Sequence, residues 1–241
     1  MTKVTIMADT TFDLSELAKF LHLPESQVKK MADRDQIPGR KVKGEWQFST
    51  AEIHHWLEKK IGVSDDNELA TMEGTLERAA PADEKQTVQI AEILSIEAIE
   101  VPFLVRTKES AIRSMTQLAV KAGLLWDGEK MADALRKREE LHPTALDNGV
   151  ALLHPRRPMP NLISDTFLAL GISPGGIPFG GGFGNLTDIF FLICSANDQI
   201  HLRILARLSR VITYPDFLAS LRQLNTPQEV KDLIADTEAR I

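Results

Sequence analysis

The sequence predicts an α/β fold, a mixed sheet covered by helices, preceded by a small helical domain with a basic hairpin. Two contrasts predict it. From residue 89 onward, strand-length apolar runs alternate with helix-period stretches, the pattern of a layered sheet. The first 62 residues are mostly helical instead, and residues 63–88, with two Lys/Arg against seven Asp/Glu, read as an acidic linker.

The bulk composition narrows the function classes. The 241 residues hold 28 Lys+Arg against 34 Asp+Glu, a net −6, which excludes a chain basic over its whole surface but permits a local basic patch. With 43% hydrophobic and 26% charged residues the composition is that of a globular protein. The single Cys194 excludes an internal disulfide and a cysteine-based zinc site. The longest apolar run, Ile189–Cys194, is far short of the ~20 residues that span a bilayer. No apolar signal core follows Met1, so the chain reads as soluble and cytoplasmic, with no membrane partner. No cofactor fingerprint and no metal-ligand spacing is legible. The Gly175–Gly184 stretch lacks the third glycine of a dinucleotide motif, and it leads into a strand, so it reads as a mobile loop.

In the front domain, 1–62, Asp13 suits the N-cap of a helix over Leu14–Leu21, whose Leu14, Leu17, Ala18 and Leu21 share a face. Pro24 suits the first position of a second helix running to Arg34 and stopped by Ile37-Pro38-Gly39. Val42, Trp46 and Phe48 flank Gly44 in a two-stranded hairpin, and a last helix, Ala51–Lys60, buries Ile53, Trp56 and Leu57. Helix, turn, helix, basic wing, helix is a winged helix-turn-helix layout. From Val28 to Gly44 six Lys/Arg face two Asp, a clustering that a DNA backbone rewards through counterion release. The candidate DNA contacts are Gln27, Lys29, Lys30, Arg34, Arg40, Lys41 and Lys43. His54 and His55 are adjacent on the last helix, about 100° apart, so they cannot share a metal. In the linker, Leu69, Met72, Leu76 and Ala79 form one short apolar stripe on an otherwise solvated tether.

These front-domain residues resemble the excisionase-like helix-turn-helix family, related to the DNA-binding domain of MerR-type regulators. The resemblance implies DNA as a partner. Winged helices bind paired half-sites, which is compatible with a homodimer, although no dimer surface is legible.

In the back domain, 89–241, the predicted elements are a strand Ile99–Val105, a helix Lys108–Ala122 stopped by Gly123, and a helix capped by Asp127 running to Glu140. Strands follow at Gly149–Leu153, Ile163–Ile172 and Thr187–Cys194, then an amphipathic helix Gln199–Ile212 with Ser195 or Asp198 as its cap. Two short helices close the chain, the second opened by Thr226 and Pro227. His154 ends an apolar strand, pinned by Pro155 and followed by Arg156 and Arg157, where α/β sheets place their sites. Alone, such a histidine is an ordinary structural residue, as His22 and His142 are expected to be. His201, in the first turn of the Gln199 helix, adds a second imidazole beside a helix N-terminus that favours anions. Two imidazoles, an arginine and that terminus suit a phosphoryl group carried on nitrogen.

The run Asn148-Gly149-Val150-Ala151-Leu152-Leu153-His154-Pro155-Arg156 resembles the phosphorylation-site motif of type-2 enzyme IIA domains of the bacterial sugar phosphotransferase system. This is the fructose/mannitol class that includes the nitrogen-regulatory enzyme IIA. His201–Leu208 resembles the family's second-histidine helix, and Arg138-Glu139-Glu140-Leu141 the segment before the site. The chain departs from the family pattern at Leu153, His142-Pro143 and Asp147, on the rim of the expected site. The resemblance implies His154 as phosphoacceptor, His201 as a hydrogen-bond donor to the phosphoryl oxygens and Arg156 as positive charge. It implies the phosphocarrier HPr or its nitrogen-branch relative as the phosphoryl donor. The expected function is a phosphotransferase-linked regulator with a DNA-binding head. The alternatives are a plain enzyme IIA phosphocarrier in sugar uptake and a phosphorylation-independent partner-binding regulator.

Overall fold

The first helix starts where its cap requires. Asp13 accepts from the Glu16 amide, the Glu16 carboxylate accepts from the Asp13 amide, and this reciprocal box opens α1 (Leu14–Phe20). The structure is a computed structural model that describes residues 11–21, 23–50, 88–180 and 184–241, with Glu52, Ile53, Trp56, Leu57, Ala70, Glu73, Gly74 and Leu76. It divides into two units, residues 1–87 and 88–241.

In the front unit, α2 (Glu25–Asp33) follows Pro24, which is its N-cap rather than its first helical residue, because its ψ of 140° is extended. Strands β2 (Arg40–Val42) and β3 (Glu45–Ser49) pair antiparallel about Lys43-Gly44, both at positive φ, the geometry of a tight primed hairpin turn. A strand not read from the sequence, β1 (Thr11–Phe12), adds to the other edge of β3. Leu17, Val28, Ala32, Phe48, Ile53 and Leu57 are buried in this unit. His22, His54, His55 and most of 63–88 lie outside the described residues. At the described linker positions Ala70, Glu73, Gly74 and Leu76 the backbone is helical, and Glu73 and Leu76 are buried.

In the back unit a short helix α3 (Ile90–Ile93) runs directly into β4 (Leu94–Glu100). The strand expected at Ile99–Val105 therefore lies earlier. It ends before Val101-Pro102, because proline brings no N–H to a ladder. Helices α4 (Lys108–Lys121) and α5 (Gly128–Leu141) are capped by Thr107 and Asp127, and Gly123 at φ 73° ends the first. Then come β5 (Val150–Leu153), a 3-10 turn Pro160–Leu162, β6 (Phe167–Pro178) and β7 (Leu186–Cys194). The strand expected at Ile163–Ile172 is thus shifted along the chain. Ile163 makes only an isolated bridge to Leu125, while β6 continues through Gly175-Gly176 into the stretch expected to be loop. Gly176 is needed there, since a Cβ would lie 2.6 Å from that of Leu186 on the facing strand.

The sheet order is β4-β6-β7-β5, with the outer pairs parallel and β6–β7 antiparallel, so the sheet is mixed. Ala151, Leu153, Ala169, Phe190 and Leu192, alternate positions on three strands, share a core with α4 and α5. Helices α6 (Asp198–Thr213), α7 (Phe217–Leu221) and α8 (Pro227–Glu238) complete the unit, with α6 against β7 and α8 against β4. The cap of α6 is Asn197, not Ser195 or Asp198, and its side chain accepts from the Ile200 amide. Helix α6 is amphipathic in sequence, as read, yet it is buried nearly all round, with Arg203 and Arg207 included. The α8 residue Glu238 accepts from the Ile90 and Ala91 amides, both at 2.8 Å, and from Arg207 Nε at 3.1 Å. No helix among the described residues is long and apolar enough to cross a membrane.

Candidate functional site

The two histidines meet because their strands are parallel neighbours. β5 and β7 pair with Leu153 opposite Leu192, so both chains leave the sheet at the same edge. β5 delivers His154 directly, and β7 turns through Asn197 into α6, whose first turn carries His201. The ring centroids lie 4.9 Å apart at an angle of 48°, and both residues are buried.

The hydrogen bonds of His154 define its tautomer. Arg138 Nε, a donor, lies 3.1 Å from Nε2, so Nε2 carries a lone pair. In the neutral ring the proton is then on Nδ1, which donates to the Leu152 carbonyl at 2.7 Å. Arg138 also donates through Nη1 to the His142 carbonyl at 2.8 Å, and it is buried with 7% exposure. A buried guanidinium presents fixed charge with several donors, so the site can bind an anionic group beside a nucleophilic nitrogen. Arg156, two residues past His154, is exposed, and Arg138 is a cation in contact with the imidazole.

The approach to the strand is also held. Gly149, at φ 89°, precedes β5, and a Cβ there would lie 2.7 Å from Arg222 Nη2 and 2.8 Å from Asp188 Oδ1. Arg222 grips the Asp188 carboxylate through Nε at 2.6 Å and Nη2 at 2.9 Å, and donates to the Asn148 carbonyl. The bond to Asp188 raises the Arg222 guanidinium above its ordinary value. Cys194, at the end of β7, is buried, and burial pushes its thiol up, so it is inert core. Among the described residues no group of three or more His, Cys, Asp or Glu is placed to hold a metal ion.

In the front unit the seven candidate DNA contacts fall into separate sets. Gln27, Lys30 and Arg34 share one side of α2 and line a groove of about 620 Å3 with Met31 at its wall. Lys29 instead pairs with Asp33 at 2.6 Å, and Lys41 lies 3.6 Å from the same carboxylate and 4.9 Å from the Trp46 ring centroid. The Lys29 hydrogen bond holds the Asp33 carboxyl below its usual value. Arg40 and Lys43 are exposed on the hairpin.

Residues 92–237 match the family model for the phosphoenolpyruvate-dependent sugar phosphotransferase system, EIIA 2. The chain belongs to this enzyme IIA type-2 family. Residues 11–61 match a helix-turn-helix domain model. The enzyme IIA portion is 30% identical over 149 residues to the PTS system fructose-specific EIIA component of Haloferax volcanii, covering 61% of this chain and 95% of that protein. It is 29% identical over 150 residues to the nitrogen regulatory protein of Bradyrhizobium diazoefficiens, covering 61% and 94%. Longer relatives also match, and the chain spans 30% and 23% of the length of two of them. Its fold is that of nitrogen regulatory protein IIA-Ntr from Neisseria meningitidis, with a TM-score of 0.54 at 21% identity over 60% of this chain and 98% of that one.

Within this enzyme IIA domain, the strand-end His154 and the helix-start His201 come together as read from the sequence, whereas the contact of Arg138 with His154 was not read there. Its place in the last turn of α5 gives no signal of its own. The signal available was a charged residue in a helix that otherwise buries Met131, Ala132 and Leu135 at the same spacing, since Arg138 follows Leu135 by three.

Proposed function

We propose that this enzyme IIA chain accepts a phosphoryl group on Nε2 of His154 from a phosphohistidine carrier of the HPr type, and that its helix-turn-helix head binds DNA. The observation that carries the first part is the hydrogen-bond pair on His154, with its Nδ1 proton on Leu152 and its Nε2 lone pair against Arg138. In the transfer, the Nε2 lone pair forms the new N–P bond as the donor's N–P bond breaks, and the bonding pair stays with the donor imidazole. Arg138 Nε then moves its hydrogen bond from the ring nitrogen to a phosphoryl oxygen, and His201 faces the same group. The Leu152 carbonyl stabilises the positive ring through Nδ1–H. The chain supplies positioning and electrostatic stabilisation, which is most of what phosphoryl transfer requires. Arg156, on the rim, supplies further positive charge towards the incoming partner.

The head's reading rests on its helix-turn-helix match and on the exposed Gln27, Lys30 and Arg34 along α2. Phosphorylation of His154 is then the signal and DNA occupancy the output, in the cytoplasm. A second reading, a plain phosphocarrier in sugar uptake, is favoured by the fructose-specific relative.

The deciding experiment is intact mass after incubation with phosphoenolpyruvate, enzyme I and HPr, or their nitrogen-branch equivalents. An acid-labile gain of one phosphoryl group that His154→Ala abolishes is the expected result. No gain with either donor set overturns the proposal. Onward transfer to a sugar in permease membranes, without DNA binding, would establish the second reading.

A further inference from the structure

Beside Arg138 on α5, Glu139 is buried with 5% exposure, and the transfer described above gives it no task. A carboxylate taken out of water needs partners, and this one has two. Its Oε1 accepts from the Thr144 amide at 3.0 Å and from the Thr144 hydroxyl. Its Oε2 pairs with Lys108 Nζ at 2.8 Å. Lys108 opens α4, and its ammonium lies 5.0 Å from the Phe179 ring centroid.

The consequence reaches His154 in two further bonds. The Thr144 carbonyl accepts from the Leu152 amide at 3.1 Å, and the Leu152 carbonyl accepts from His154 Nδ1 at 2.7 Å. Arg138 ties the same segment from the other side through the His142 carbonyl while it donates to Nε2. Successive helix residues point about 100° apart, so Arg138 and Glu139 staple residues 142–144 at two points. Lys108 has a second effect. It supplies the countercharge that a buried carboxylate needs.

We propose that Glu139, held by Lys108, is a positioning residue that fixes the tautomer and aim of His154. The purpose of this device rests on the phosphoryl-acceptor reading, but its geometry does not. The test is 15N NMR of histidine-labelled full-length protein, comparing wild type with Glu139→Gln and Lys108→Met, alongside the phosphorylation rate from HPr. In wild type His154 shows a protonated Nδ1 and an unprotonated Nε2. In both variants the ring is expected to shift to a mixture of tautomers, and Lys108→Arg is expected to restore the wild-type signature. The transfer rate is expected to fall by up to about 10²-fold, the cost of misplacing a reacting group by about 1 Å. If both variants keep the wild-type nitrogen shifts and lose only thermal stability, Glu139 is structural and the proposal is overturned. Should Glu139→Gln fail to fold, Lys108→Met carries the same readout from a half-exposed position. If wild type is not phosphorylated at all, the phosphoryl-acceptor reading fails, and the nitrogen shifts still decide the role of Glu139.

Discussion

Arg138 donates through Nε to Nε2 of His154 at 3.1 Å, bringing a buried guanidinium onto the ring nitrogen that carries the lone pair. The contact joins the last turn of α5 to the residue after β5 and sets a buried cation against the imidazole.

Arg138→Ala is therefore expected to slow phosphorylation of His154 by about 10²–10³-fold, the range for removing one donor to a developing charge. Arg138→Lys is expected to restore little, because an ammonium cannot span His142 and the phosphoryl group as a planar fork does. Rapid-quench transfer from phosphorylated HPr measures both. Transfer at the wild-type rate in Arg138→Ala would remove the guanidinium from the mechanism.

The head's charges predict a division of labour on DNA. Lys30→Ala and Arg34→Ala are each expected to reduce the salt slope of duplex binding by about one. Lys29→Ala is expected to change it less, since Lys29 is already engaged by Asp33. Asp33→Asn is expected to tighten binding by releasing Lys29 and Lys41. Fluorescence anisotropy across a salt series reads all four variants.

Glu238→Ala should destabilise the back unit by about 3–5 kcal/mol, the cost of leaving a buried charge, here Arg207, without its partner. It also uncaps the Ile90 and Ala91 amides. Urea unfolding followed by circular dichroism would show the shift in midpoint, and an unchanged midpoint would contradict the burial of the pair.

Gly149→Ala places a Cβ where Arg222 and Asp188 already are, at a φ of 89°. Strain of about 1–3 kcal/mol is expected from the backbone alone. The measurable signature is a loss of thermal stability combined with slower phosphorylation, because β5 carries His154.

Acid should loosen the start of α8 first. The Thr226 hydroxyl, followed by the Asn225 amide, holds the Glu229 carboxyl below its ordinary 4.5. A lowered folded-state value means the cap is fully stabilising above the unfolded value and is lost as pH falls through the folded one. Hydrogen exchange at the amides of residues 226–230 should accelerate in that range, and Thr226→Ala should weaken the dependence, leaving the part due to the Asn225 and Thr226 amides.

The elements with local signals were legible. Asp13, Thr226 and Asp127 cap as their side chains predict, and Gly123 ends α4. The misplaced strands are those decided by distant partners. Gly175 and Gly176 look like loop in sequence, yet they lie in β6, in an irregular stretch between its paired residues Ile172 and Ile177, where a Cβ on Gly176 would meet Leu186. β1, two residues long, has no periodicity to read and exists because β3 offers it an edge. The same limit applies to the site. His154 and His201 advertise themselves by position, whereas Arg138 acquires meaning only when α5 and β5 are brought together.

The strand order has a consequence for how this chain emerges from a ribosome. β4 and β5 are synthesised first, yet each pairs with a strand made later, β4 with β6 and β5 with β7. β4 must wait for β6 and β5 for β7, and such non-local pairings are slow to form. The segment ending in His154 thus begins with only its local bonds to residues 144–146 and without its ladder to β7, an apolar edge of the kind prone to aggregate and to be shielded by chaperones. Its imidazole meets the His201 ring only after Cys194 has been added and the turn into α6 has followed.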